Sequence, residues 1–183
     1  MQLMPRSKSQ LAGVLLLFAA SALAQSPGKK SPSVTLAPID PVSVTRGKGA
    51  EVSLHFRVAA GFHINSNTPK SEFLIPTALK MDAPTDVALT KTSYPAGKDM
   101  TFPFAPDEPL NVYTGDFTIS MMVRPLHTVQ PGKYAVHGDL KYQACDNAAC
   151  YPPKHLPVEF EVMVLKNATP AGRNPAQSPH AHR

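Results

Sequence analysis

The feature that most constrains this chain is a hydrophobic period of two. In EVSLHFRVA, Val52, Leu54, Phe56 and Val58 alternate with Ser53, His55 and Arg57, the pattern of a strand with one buried face. FTISMMV repeats it with Phe117, Ile119, Met121 and Val123, and PVEFEVMVL sets Val158, Phe160, Val162 and Val164 against Glu159, Glu161 and Met163. KYAVHGDLKYQA reads as a further strand in which Gly138 marks a bulge. SVTLAP, DPVSVT, DVALTKTSY and LNVYTG are weaker strand candidates, separated by turn signals such as DAPTD, PAGKD and QPGK. No window carries a long helical stripe, and 20 prolines suit short strands with irregular connections. About seven to nine short strands over roughly 130 residues predict an all-β fold, an immunoglobulin-like antiparallel β-sandwich.

The N-terminus sets the compartment. Arg6 and Lys8 precede the apolar run LAGVLLLFAA, and SALAQ follows with small residues at Ala22 and Ala24, which predicts a signal peptide over residues 1–24. The run is shorter than the ~20 apolar residues a membrane helix needs, so stable membrane insertion is not expected. No cysteine stands at the cleavage point to carry a lipid. Cleavage removes Arg6 and Lys8 and lowers the net charge from +5 to +3. The remaining basic residues are scattered, which argues against a nucleic-acid partner. Residues 25–33 and 167–183 are rich in Pro, Ser, Gly, Ala and Asn and read as tails around a core domain over 34–166.

Export would put the two cysteines, Cys145 and Cys150, in an oxidising compartment. A strand ending at Cys145 and a DNAA turn before Cys150 would make a hairpin mouth. Facing Cα atoms there lie about 4.5–5.5 Å apart, within disulfide reach. Pro152 and Pro153 put the following chain at a sheet edge or take it out of the sheet, with the sulfurs at an accessible rim. The spacing is not the helix-opening pair of thioredoxin, and Asp146 disfavours thiolate, partly offset by Lys141, Lys154 and His155. Three uses stay open on spacing alone: a structural brace, a redox centre, or a metal site with His155 and His63. Met100, Met121 and Met122 would suit a softer metal, though core packing accounts for such residues; the terminal His180 and His182 lie in the tail. Two further segments break the alternation. GFHINSNTPKSEFLIPT holds His63, Asn65 and Asn67, which line a site or shape a turn. PAGKDMTFPFAPDEP reads as a long loop carrying Phe102 and Phe104, aromatics that must bury against something, in the plainest case one end of the core.

KYQACDNAACYPP resembles the active-site segment of the N-terminal periplasmic domain of the DsbD thiol:disulfide interchange family, matching at Tyr142, Gln143, Cys145, Cys150, Tyr151, Pro152 and Pro153. GFHINSN followed by FLIPT is similar to a second family segment, and the likeness runs from about Val34 to Val164. Four residues separate the cysteines here, one fewer than in the best-known members. The resemblance implies a sandwich whose cysteine pair cycles between dithiol and disulfide without a cofactor, in the periplasm. Cys150 would form the mixed disulfide and Cys145 resolve it. An aromatic cap, Phe102 or Phe104 near Asp99, would cover the sulfurs, with Tyr142 and Tyr151 lining the site. Implied partners are a thioredoxin-fold or membrane-embedded thiol reductase and exported disulfide-bearing proteins. The chain shows neither a membrane domain nor a thioredoxin-like domain of its own, so it is expected to act as a stand-alone module with a separate reductase. The alternative is a non-enzymatic immunoglobulin-like binding module braced by a permanent disulfide.

Overall fold

The computed structural model describes residues 31–166, so the signal peptide, the C-terminal tail and most of the N-terminal segment lie outside the described residues. Among the described residues there are twelve strands and no helix. The strict alternation marks the two central strands of one sheet, β3 (Ala50–Val58) and β9 (Asp116–Pro125), paired antiparallel with Leu54 opposite Ile119. β1 (Val34–Leu36) and β6 (Val87–Ser93) flank them, giving the order β1-β3-β9-β6. The second sheet, β2-β12-β10-β5, is built from β2 (Val42–Thr45), β12 (Lys154–Leu165), β10 (Gly132–Tyr142) and β5 (Ala78–Asp82). Side chains from both sheets, among them Val52, Leu54, Phe56, Ile119, Met121, Val136, Leu140, Phe160 and Val162, fill one core. This is the expected immunoglobulin-like sandwich, with one departure from full antiparallelism: β2 runs parallel to β12, Val42 facing Val162.

Two local expectations are corrected. Gly138 marks no bulge; the register runs unbroken through Gly138, opposite Val158 on one side and Met81 on the other. Glycine is required because a Cβ there would strike the Lys80 carbonyl oxygen and Met81. The register shift sits instead in edge strand β6, between Thr90 and Ser93, with Lys91 at φ 53°. Bulges gather at edges, where they spoil pairing with another chain.

The second correction concerns PAGKDMTFPFAPDEP. It is not a loop but a hairpin of β7 (Lys98–Phe102) and β8 (Ala105–Tyr113), turning at Pro103 and Phe104. Residues 110–113 of LNVYTG form the mostly buried end of β8. With β4 (His63–Asn65) and β11 (Ala144–Cys145) the hairpin forms a third sheet, β11-β4-β8-β7. Alternation was absent because most of β7 and the first half of β8 are exposed on both faces. The ladder slips between Met100 and Phe102, opposite the stretch holding Pro106 and Pro109, which cannot donate to it.

Candidate functional site

The cysteines lie where the chain changes sheets. β10 ends at Tyr142 in the second sheet, and after Gln143 the chain enters the third as β11, with Cys145 opposite His63 of β4. Cys145 and Cys150 face each other as an antiparallel bridge, their Cα atoms 3.9 Å apart, and are joined by a disulfide. Pro152 and Pro153 then carry the chain back to the second sheet, where Lys154 pairs with Tyr142. The hairpin mouth and the exit at the prolines match the sequence reading. The accessible rim holds for one sulfur-bearing residue only: Cys150 is exposed, and Cys145 is fully buried.

The loop between them is ordered by Asp146. Its carboxylate accepts the N–H groups of Ala148 at 2.8 Å and Ala149 at 2.9 Å and the Tyr151 hydroxyl at 2.6 Å. These bonds, Tyr151's foremost, hold the Asp146 carboxyl down at about 2, and the Tyr151 phenol is pushed up in turn. The Tyr151 ring meets Phe62 edge-on, centroids 5.9 Å apart.

Behind Cys145 lies an aromatic stack. His63, 2% exposed, lies face to face with Phe102 at 3.8 Å, and Phe102 lies under Phe104 at 5.6 Å. Phe102 is buried with Leu110 and Val112, and Leu74 packs on them; Phe104 is 39% exposed at the hairpin turn. Burial pushes the His63 imidazole down to about 4, against the opposing pull of the Asp146 carboxylate, so the ring is neutral at pH 7. Its Nε2 is buried without a hydrogen-bond partner. A groove of about 500 Å³ lined by Phe62, His63, Met100, Phe102 and Asn147 runs beside the disulfide loop.

The other residues singled out in the sequence are placed as follows. Tyr142 is buried in the main core, and its hydroxyl accepts the Val34 N–H at 3.2 Å, tying two sheets together behind the site. Asn65 donates to the Ile75 carbonyl and Asn67 accepts the Tyr113 hydroxyl, so both shape the 66–77 segment while His63 alone of the three lines the groove. Asp99 is held by Lys70 at 2.6 Å and Asn111 at 2.7 Å, which keep its carboxyl below the usual range. His155 lies against Asp139 at 2.6 Å, and Met121 is in the core. Sequence reasoning did not foresee the Asp146–Tyr151 pair or the His63–Phe102 stack. An Asp opening a tight turn was a signal for the first, since its side chain bonds backbone N–H groups two and three residues on.

Residues 34–161 match the family model described as the N-terminal part of thiol:disulfide interchange protein DsbD. No curated protein matches the chain. Among solved structures, the reduced DsbD N-terminal domain of Neisseria meningitidis aligns at 24% identity and TM-score 0.37, covering 61% of this chain and 75% of that one. The complex of the same domain with the PilB N-terminal domain aligns at 22% identity and TM-score 0.37, covering 61% and 73%. A type I cohesin of Pseudobacteroides cellulosolvens aligns at 11% identity and TM-score 0.46, covering 74% and 94%.

Proposed function

The chain belongs to the family of DsbD N-terminal domains, and from that premise we propose that Cys145 and Cys150 are a thiol:disulfide exchange centre working in the periplasm. The observation that carries this reading is the unequal burial of the pair, Cys150 exposed and Cys145 enclosed. An exchange centre needs one sulfur a partner can reach and one that only its neighbour can reach, because exchange rate follows access as well as thiolate fraction. In the reducing direction, Cys150 thiolate attacks a partner disulfide and forms a mixed disulfide, releasing the first partner thiolate. Cys145 thiolate then attacks Cys150 Sγ, closing the internal disulfide and releasing the second. Two electrons pass to the partner, and the protons of the two cysteine thiols end on its sulfurs. A thioredoxin-fold or membrane-embedded reductase restores the dithiol by the reverse steps.

Phe104 is the aromatic that moves. Phe102 is anchored by His63, Leu110, Val112 and Leu74, whereas Phe104 stacks on Phe102 and, farther off at 6.3 Å, on His63, lies outside the buried cluster and is partly in solvent. Tyr151 lines the site through Asp146, and Tyr142 supports it from the core.

The test is the reduction potential of the pair in the purified protein, together with trapping. A value between about −270 and −120 mV supports exchange, and one well below roughly −300 mV marks a permanent brace. Against a disulfide-bearing substrate, Cys145→Ser accumulates the mixed disulfide and Cys150→Ser forms none; equal trapping by both variants would overturn the assigned roles.

A further inference from the structure

The cysteine loop is held closed by more than its sulfurs. Besides the three bonds to the Asp146 carboxylate, the Asp146 N–H donates to the Ala149 carbonyl at 3.0 Å and the Tyr151 N–H to the Ala144 carbonyl at 2.8 Å. Gln143 Nε2 donates to the Tyr151 carbonyl at 3.1 Å. These bonds span the residues on either side of both cysteines, and none uses a sulfur. Opening the S–S bond therefore leaves every one of them available.

From this geometry we infer that Asp146 and Tyr151 are positioning residues for the exchange centre: they clamp the loop in the dithiol, hold Cys145 beside Cys150, and so set how strongly the pair gives up its electrons. The inference rests on the exchange role proposed above. Closing a disulfide from a loose dithiol requires ordering the intervening chain, and a loop already ordered by the clamp has less freedom to lose. The chemistry is unchanged. The Cys145 sulfur forms its bond to Cys150 Sγ, the Cys150–partner bond breaks, and the partner's disulfide has taken up two electrons and two protons. The clamp favours that last closure, which makes the dithiol a stronger reductant and shortens the life of the mixed disulfide.

The experiment measures the equilibrium between dithiol and disulfide in glutathione buffers for the wild-type protein, Asp146→Ala, Tyr151→Phe and Asp146→Asn. Asp146→Ala is expected to weaken closure about tenfold, an upward shift of about 30 mV for this two-electron couple. Tyr151→Phe, which loses one bond to the carboxylate, falls between. Asp146→Asn keeps an amide oxygen for the Ala148 and Ala149 N–H groups and recovers most of the loss. Closure constants for Asp146→Ala and Tyr151→Phe within about twofold of wild type would overturn the clamp. So would loss of amide-exchange protection at Ala148 and Ala149 when the wild-type disulfide is reduced. Neither readout needs a partner protein. Failure of the exchange role shows separately, as a very low wild-type potential with no mixed disulfide.

Discussion

Acidification tests the buried His63 directly. The imidazole titrates near 6.5 in an unfolded chain and at about 4 in the folded protein, because burial opposes its charged form. Between those values the unfolded state binds a proton that the folded state refuses, so stability falls as the pH drops through that window. The gap from 6.5 to about 4, at about 1.4 kcal/mol per pH unit, is about 3 kcal/mol. The term is absent at neutral pH and fully developed below the folded value. Asp146, held at about 2, stays ionised throughout and moderates the loss. The comparison protein is His63→Phe, which keeps a flat ring against Phe102 and cannot titrate. With no tryptophan in the chain, urea unfolding is followed by far-ultraviolet circular dichroism. Exposed His55, His127, His137 and His155 are common to both proteins and cancel in the difference. Wild type should lose about 3 kcal/mol more than His63→Phe between about pH 7 and pH 4. Parallel profiles would show that the ring is hydrated or paired when folded, and the reasoning from burial would fail.

The two phenylalanines of the hairpin should separate. Phe104→Ala is expected to leave stability almost unchanged and to speed alkylation of the reduced cysteines, whereas Phe102→Ala should destabilise by about 3 kcal/mol or more through the cavity it leaves. An unchanged alkylation rate in Phe104→Ala would refute its role as cap. Gly138→Ala should cost about 1–3 kcal/mol by forcing β5 away from β10, read as a lower urea midpoint. A neutral result would mean that β5 shifts freely. Leu54→Ala, deep between the sheets, should cost about 2–5 kcal/mol in the same assay, and a smaller loss would mean that the core collapses around the missing side chain.

What was legible in the sequence was whatever burial wrote into it. β3, β9 and β12 each bury one face, so their apolar residues recur every second position and the strands could be read with their inward sides. β7 and the start of β8 bury almost nothing, carry no alternation, and read as a loop. β4 is three residues buried on both faces, too short to show any period. Gly138 illustrates a different limit: a glycine in a strand announces a bulge and a close approach equally, and only the position of Lys80 on the neighbouring strand tells them apart. At the site, the cysteines and their prolines were readable because the constraint is local. His63 and Phe102 are far apart in sequence, and their stacking depends on the third sheet bringing β4 and the hairpin together.

The cap proposed at Phe104 belongs to that third sheet, whose packing lets it move while the domain stays folded. Phe102, Leu110 and Val112, with Leu74 against them, form a small cluster separate from the main core, and most of the hairpin before Leu110 is in solvent. Few buried contacts mean a low free energy of local opening, while β3 and β9 open only with the whole domain. The join between the two regimes is Tyr113, which stacks on Phe117 at 5.0 Å and holds Asn67 and the Pro95 carbonyl through its hydroxyl. Motion of the hairpin turn should therefore stop at Tyr113 and leave the disulfide loop, fastened by Asp146, where it is. Amide hydrogen exchange reads this directly. Met100–Phe102 and Ala105–Leu110 should exchange far faster than Val52–Phe56 and Ile119–Val123, with Tyr113 protected. Equal protection across the hairpin and the sandwich would mean that the hairpin opens only when the domain unfolds, and Phe104 would then not serve as a moving cap.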